Sequence, residues 1–400
     1  MLVPFAPAPR DVAADALLGE VPRELFSDRL YEACELVERY VSEQAVDLAQ
    51  RLDLAGAIAG GGTVAEIAAR GALSEEERPA LLWLLRRLAE SGHLQRVGGA
   101  GSEHSERFSA PRELPAAELA ELREIGLAID PAIRPTLAIL DAAAEAFPAV
   151  VAGRSTGEQA LFSGAKMQLW LDYFHNANPI YALNNRIAAA AAANRIPERG
   201  SFRILEVGAG AGSAAEALLD ELAARGRLAD VAEYRLTEPN GLLRRRASRA
   251  LATRFPGLPL VDQAFDIDLD AAGQGLEPAS FDLALAVNVL HIARDLGAAL
   301  GRIRTLLVPG GWLVAGECLR LFPGQTIAVE LVFQQLRSFT RVELDPELRP
   351  EHGFLSPESW RRAFAAAALS AVAVVPELER IRSYYPRFFT GAICGRRAPA

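Results

Sequence analysis

The chain has 400 residues, half of them apolar, and a formal charge of −9. That length suits two domains with a sizeable core in each. Net acidity argues against a nucleic-acid partner, because phosphate binding draws on Lys and Arg.

The three cysteines, Cys34, Cys318 and Cys394, lie far apart and form no CxxC pair, so neither a disulfide nor a zinc site is expected. Lys166 is the single lysine, which reads as a composition bias toward Ala, Arg and Leu. No apolar run reaches the roughly 18 residues that a membrane helix needs. The first 22 residues lack a basic stretch followed by an apolar one, so no secretory signal is read there. The expectation is a soluble cytoplasmic protein.

Residues 1–22 hold four prolines and read as an irregular arm. From Glu24 to about Gly60, Leu30, Ala33, Cys34, Val37, Tyr40 and Val41 recur at spacings of three and four, as on one helix face. The stretch ERPALLWLLRRLAESGHLQRV predicts a helix ending near Gly92 and then a short strand. ERFSAPREL predicts the returning strand, across a Gly-rich loop at 98–101. Two helices and a small wing resemble a winged-helix module, but residues 1–150 carry 14 Arg against 25 Asp plus Glu. Docking, dimerisation or a substrate lid suits that charge better than DNA. His93 and His104 fall in the wing and suggest no function.

Residues 114–195 read as helical, with Pro131, Pro135, Pro148 and Pro179 as breaks. After Pro197 short apolar runs alternate with amphipathic helices, which predicts a parallel sheet wrapped by helices. The expected division is an arm at 1–22, a helical winged-helix-like domain at 23–150, a helical linker and lid at 151–198, and a ligand-binding α/β domain at 199–400.

The sharpest motif is Glu206, Gly208, Gly210 and Gly212, spaced as ExGxGxG between a strand and a helix. Glycines there allow a tight turn and close approach of a ligand. The spacing differs from the GxGxxG of dinucleotide folds, and the acid comes first. A carboxylate at Glu206 suits a ligand with an amine and a positive sulfonium centre, where it would repel pyrophosphate. Glu238, ending the second strand, can accept from both ribose hydroxyls. Asp266 can accept from an adenine amino group while Phe265 packs on the ring, and Asn288 would lie beside the amino-acid end of the same ligand. Each also has a plain structural reading, as a turn, cap or strand-end residue.

FRILEVGAGAGS, LTEP, FDID, SFDLALAVNVLH, LLVPGGWLVAGE and DPELRPEHGFLSPESW occur in that order, preceded by Leu161–Gly164 and Asn178-Pro179. In this sequence of motifs the chain resembles the methyltransferase domains of modular polyketide synthases, as a free-standing version. It departs in carrying Glu238 where that family usually has Asp, and RSFTRVE at 337–343 where Gly and Trp are frequent.

The resemblance implies a Rossmann-like class I α/β fold with a mainly parallel seven-stranded sheet, and S-adenosyl-L-methionine as cofactor. It implies a polyketide acceptor, carrier-bound or free, with no nucleic acid, membrane or metal. It also implies that His291 and Glu317, at successive strand ends, act as base and orienter. The expected reaction is C-methylation of a β-ketoacyl intermediate. O-methylation of a hydroxyl remains the alternative, and a ligand-sensing regulator with the same fold is a third reading. Tyr173 and His175 are the candidate acceptor contacts from the linker, while His352 reads as structural. The arginine run at 244–246, with Arg249 and Arg254, reads as a solvated helix face or a surface for an acidic carrier protein.

Overall fold

The computed structural model describes residues 19–98, 106–110 and 113–399. The first long helix, α1 (Asp28–Arg51), starts where the Ser27 hydroxyl accepts from the Leu30 amide at 3.1 Å. It does not run on to Gly60. Asp53 adopts a left-handed backbone, and α2 (Leu54–Ala59) begins after it. A strand β1 (Gly62–Thr63) and a helix α3 (Val64–Arg70), held by a Thr63–Glu66 capping box, follow. Helix α4 (Arg78–Glu90) and strands β2 (Gln95–Val97) and β3 (Arg107–Ser109) complete the module. The two wing strands pair as expected, and β1 joins them in a three-stranded antiparallel sheet. Most of the Gly-rich wing loop, and His104 with it, lies outside the described residues.

Helices α5 (Leu119–Ile129), α6 (Arg134–Val151), α7 (Gly157–Leu161), α8 (Met167–Tyr173) and α9 (Pro179–Ala193) follow. One of the four prolines expected as breaks is not a break. Pro131, Pro135 and Pro179 each stand in the first turn of a helical element, where no N–H partner is needed. Pro148 lies inside α6: its absent N–H frees the Ala144 carbonyl, which accepts from Arg51 Nη1 at 3.1 Å instead.

The large sheet contains β4 (Phe202–Val207), β5 (Val231–Thr237), β6 (Leu260–Gln263), β7 (Phe281–Val287), β8 (Leu307–Cys318), β9 (Leu369–Val375) and β10 (Thr390–Arg397). Its order is β6-β5-β4-β7-β8-β10-β9, parallel except for β10, which runs antiparallel to both neighbours. β4 is buried along nearly its whole length, as expected of a central strand covered on both faces by helices. Helices α10 (Ser213–Ala224), α11 (Gly241–Arg254), α12 (Leu296–Leu306) and α13 (Pro357–Ala366) lie between strands in the chain. Strand order reverses at β4, and the crevice above that reversal is where open α/β sheets bind ligands.

Two apolar cores form, and the chain crosses between them in both directions. Val21, Leu25 and Phe26 pack into the core of the large sheet. Ile327, Leu331, Leu336, Phe339 and Phe354, which fall inside the expected 199–400 unit, pack instead with the N-terminal helices. Among the described residues, no helix is long and apolar enough to cross a membrane.

Candidate active site

β4 ends in the turn Gly208–Gly212, and all three glycines have positive φ. A Cβ at Gly208 would collide with Val289 Cγ2, so the turn can close against β7 only with glycine there. A Cβ at Gly210 would meet nothing within 4 Å, because it would project into open cavity.

That cavity measures about 430 Å³ and runs along the carboxyl ends of β5, β4, β7 and β8 to the start of β10. Glu238 lines it from the end of β5. One carboxylate oxygen of Glu238 accepts from the Gly210 amide at 3.0 Å, the other from the Asn240 amide at 2.8 Å. Both bonds point the group along the rim, and a carboxylate retains lone pairs for a ligand. Asn288 lines the cavity at the end of β7, in a left-handed conformation that asparagine tolerates better than most residues.

His291 stands on the single turn after β7, and Glu317 near the end of β8. Their strands are neighbours, which brings His291 Nδ1 to 2.7 Å from Glu317 Oε2. The other oxygen of Glu317 accepts from the Leu290 amide at 3.0 Å. The carboxylate is therefore fixed twice and the imidazole orientation once. Nδ1 is taken, and the ring lines the cavity. Phe354 packs edge-on against it at 4.7 Å between centroids, and Phe339 at 5.6 Å. Behind the ring Arg349 donates to the carbonyls of His291 and Ala293. Burial lowers the Arg349 guanidinium to about 10, and the carboxylates Glu317, Asp268 and Asp295 partly offset this.

Four cofactor candidates stand off the cavity wall. Glu206 is buried beneath the glycine turn, where its carboxylate accepts from the Tyr234 hydroxyl at 3.0 Å. Burial pushes it up to about 7, against hydrogen bonds from Tyr234 and the Ala215 amide that favour the charged form. Phe265, two residues past the end of β6, is buried in the core of the large sheet. Asp266 is half-buried and accepts from the Asp268 amide at 2.9 Å, as a turn aspartate does. Gly212 packs against Ala247 and likewise stands behind the wall.

Of the linker candidates, Tyr173 is buried on the cavity wall. His175 is an exposed turn residue whose Nδ1 accepts from the Ala177 amide at 3.0 Å. His352 is buried and bonded to Gln334 at 2.9 Å. Arg244 and Arg254 are engaged with Asp262, Glu216 and Asp220, while Arg245, Arg246 and Arg249 are exposed. Among the described residues no cluster of three His, Cys, Asp or Glu could hold a metal.

Residues 205–313 match the family described as methyltransferase domain. The chain carries a methyltransferase domain. Fumosorinone synthetase of Cordyceps fumosorosea is 32% identical over 253 residues, which is 61% of this chain and 6% of that protein. The chain spans between 3 and 11% of the length of such curated relatives, which include several polyketide synthases. Among solved structures, the CurJ carbon methyltransferase superimposes with a TM-score of 0.78 at 23% identity, covering 96% of this chain and 97% of that one. The CMeT domain of the citrinin polyketide synthase superimposes with a TM-score of 0.72 at 18% identity, covering 99% of this chain and all of the other. At these identities the superpositions establish the fold, a seven-stranded class I methyltransferase with an N-terminal helical region. In sequence, the methyltransferase is similar to polyketide synthases.

The expected motif positions of Gly208, Gly210, Glu238, Asn288 and His291 therefore line one cavity, with Glu317 buried behind His291. The aromatic wall formed by Phe339 and Phe354, and the polar residue Asn184 opposite Asn288, have no counterpart in that reading. Phe354 and Arg349 lie within the quoted DPELRPEHGF stretch, but nothing in its spacing tells which strand end it covers. Asn184-Asn185 is a polar pair in an otherwise alanine-rich helix, and that mismatch is the signal that could have marked it.

Proposed function

We propose that this methyltransferase uses S-adenosyl-L-methionine to methylate the α-carbon of a β-ketoacyl thioester presented on a carrier protein, with His291 as general base. The observation that carries this reading is the Glu317–His291 pair: His291 lines the same cavity as the glycine turn and Glu238, and the fully buried Glu317 holds its ring. The fit to the cofactor rests on the open space at Gly210 and on Glu238, whose rim position suits a ribose. When bound, the cofactor supplies an electrophilic methyl group on a sulfonium.

The protein's own residues do the remaining work. His291, held through Nδ1, presents Nε2 as the nitrogen that takes the acidic α-proton. Glu317 stabilises the imidazolium that forms. The aromatic wall excludes water from the resulting enolate, so the carbon reacts with the methyl group and not with solvent. General-base help of this kind contributes roughly 10²–10⁴-fold. Residues 23–150 and 151–198 serve as the lid over the 199–400 cofactor domain, and together with Phe339 and Phe354 they supply the wall opposite the sheet. The polyketide synthases among the relatives and the carbon-methyltransferase neighbours both support the acceptor class.

The test is transfer of an isotopically labelled methyl group to a set of β-ketoacyl thioesters, free and carrier-bound, with NMR location of the label. Label on the α-carbon of a carrier-bound acceptor is expected. Label on a hydroxyl oxygen would replace this reading with O-methylation. Faster transfer to free than to carrier-bound acceptors would remove the carrier from it.

A further inference from the structure

The cavity does not end at the dyad. Beyond β8 it continues to the start of β10, whereas Glu238 and the glycine turn, which would hold the donor, stand at the opposite end of the rim. Two segments from opposite ends of the chain wall this further part. One is a single face of α1, where Leu30, Tyr31, Cys34, Val37 and Glu38 recur at helical spacing and all line the cavity. The other is the approach to β10, from Tyr385 to Thr390.

Both walls run from the dyad toward the surface. At the inner end Thr390 pairs with Cys318, the residue after Glu317. Glu38 stands there too: burial pushes the Cys318 thiol up, and the carboxylates of Glu317, Glu330 and Glu38 add to that shift. At ~1.5 Å per residue, the face of α1 extends about 10 Å from Glu38 to Tyr31. Exposure rises along it, from buried Glu38 and Val37 to half-buried Cys34 and Tyr31. The opposite wall passes the buried Phe388 and ends in Arg387, whose side chain is 54% exposed. Aromatic contacts close the seam between them, Phe26 on Phe388 at 5.4 Å between centroids and Tyr31 against Tyr385 at 4.9 Å. Arg387 lies 3.6 Å from Glu35, on the next turn of α1.

The change of character along this passage identifies its occupant. An acyl tail would end in a closed apolar pocket. This passage is apolar within, at Leu25, Leu30 and Phe388, but it ends on a cation in contact with solvent. A thioester tethered to a carrier must have a route to solvent, and its tether ends in a phosphate. We infer that the passage between α1 and the approach to β10 admits a phosphopantetheine arm, with the thioester at His291 and the phosphate at Arg387. A guanidinium suits phosphate because its N–H groups form a planar fork. Its 3.6 Å separation from Glu35 is too long for a hydrogen bond, so a phosphate meets little competition there. The inference rests on the thioester reading of the acceptor.

The test places one β-ketoacyl group on pantetheine and on 4′-phosphopantetheine, which differ only in the phosphate. Wild-type protein is expected to show a KM lower by about 3- to 5-fold for the phosphorylated thioester, the scale of an exposed charge pair, with similar kcat. The preference should shrink as salt rises. Arg387→Ala should remove it and Arg387→Glu invert it. Glu35→Gln should enlarge it, because Arg387 then loses its competing carboxylate; a purely structural pair would make the Glu35 and Arg387 changes act alike. The same acyl group on the carrier protein and on coenzyme A separates the two sources of the arm. A lower KM on the carrier is expected, and a lower KM on coenzyme A would overturn the carrier as the source. Equal KM values for the two small thioesters in the wild type, or a preference that survives Arg387→Ala, would overturn the inference and leave the acceptor reading standing. Turnover of neither thioester by the wild-type protein would overturn that reading, and the inference with it.

Discussion

The two walls of the cavity are built on different principles. The sheet rim is made of short strand-end segments, each shaped by its own backbone: a glycine turn, the left-handed Asn288, the single turn that carries His291. The opposite wall is assembled from residues far apart in the chain and held by buried ions. Arg86 bonds Glu106 and Glu351, Arg320 bonds Glu351 and Glu330, and Arg87 bonds Glu38, all with side chains nearly inaccessible to solvent. Glu351 also accepts from the Gly324 amide at 2.8 Å, and Glu38 from the Ala328 amide at 2.9 Å. This latch ties α1 and α4 to the segment that sets Phe339 and Phe354 over His291. The difference teaches that donor binding is written locally, whereas the roof over the acceptor depends on tertiary assembly.

If so, the two walls should fail in different ways. The largest expected effect is at the rim. Gly210→Val places a branched side chain in the open space beside Glu238 and forces it into a left-handed backbone. S-adenosylhomocysteine binding should become undetectable by calorimetry while the melting curve keeps its cooperativity. Retained binding would detach the glycine turn from the cofactor.

A change in the roof should do the reverse. Glu351→Ala leaves Arg86 and Arg320 each short of a partner in a buried setting, a loss of about 3–5 kcal/mol for broken pairs of this type. Urea unfolding should report that loss, with S-adenosylhomocysteine affinity little changed in the folded fraction. A surface-like effect below about 1 kcal/mol would mean that the latch is solvated and the comparison false.

The same contrast explains what could be read before the structure. The alternation of apolar runs and helices led to the sheet, since each βα unit is a local pattern, and the motif at 206–212 marked its ligand-binding turn. His291 and Glu317 were legible because one crossover separates them and neighbouring strand ends must meet. Phe265 and Asp266 were harder to place: they follow the end of β6, where the backbone has no strand period to tell which side chain faces the ligand, and Phe265 turns into the core. Glu206 is similar, in the strand two residues before the turn and so beneath it. Pro148 was misleading because its cost in α6 is offset by Arg51, more than ninety residues away in sequence. Asn184, Arg86 and Glu351 owe their roles to partners more than a hundred residues distant, or to a cavity, and no local pattern encodes either.

The central claim is that His291 serves the acceptor and not the donor. Its most direct test compares, in one preparation, the turnover of a β-ketoacyl thioester and the calorimetric affinity for S-adenosylhomocysteine in His291→Ala. Turnover should fall by about two orders of magnitude or more, with cofactor affinity nearly unchanged. Glu317→Gln should be milder, since the amide can still hold Nδ1 but carries no charge to stabilise the imidazolium. Turnover within a factor of a few of wild type would contradict the account, as would a parallel loss of cofactor affinity that explains the lost turnover.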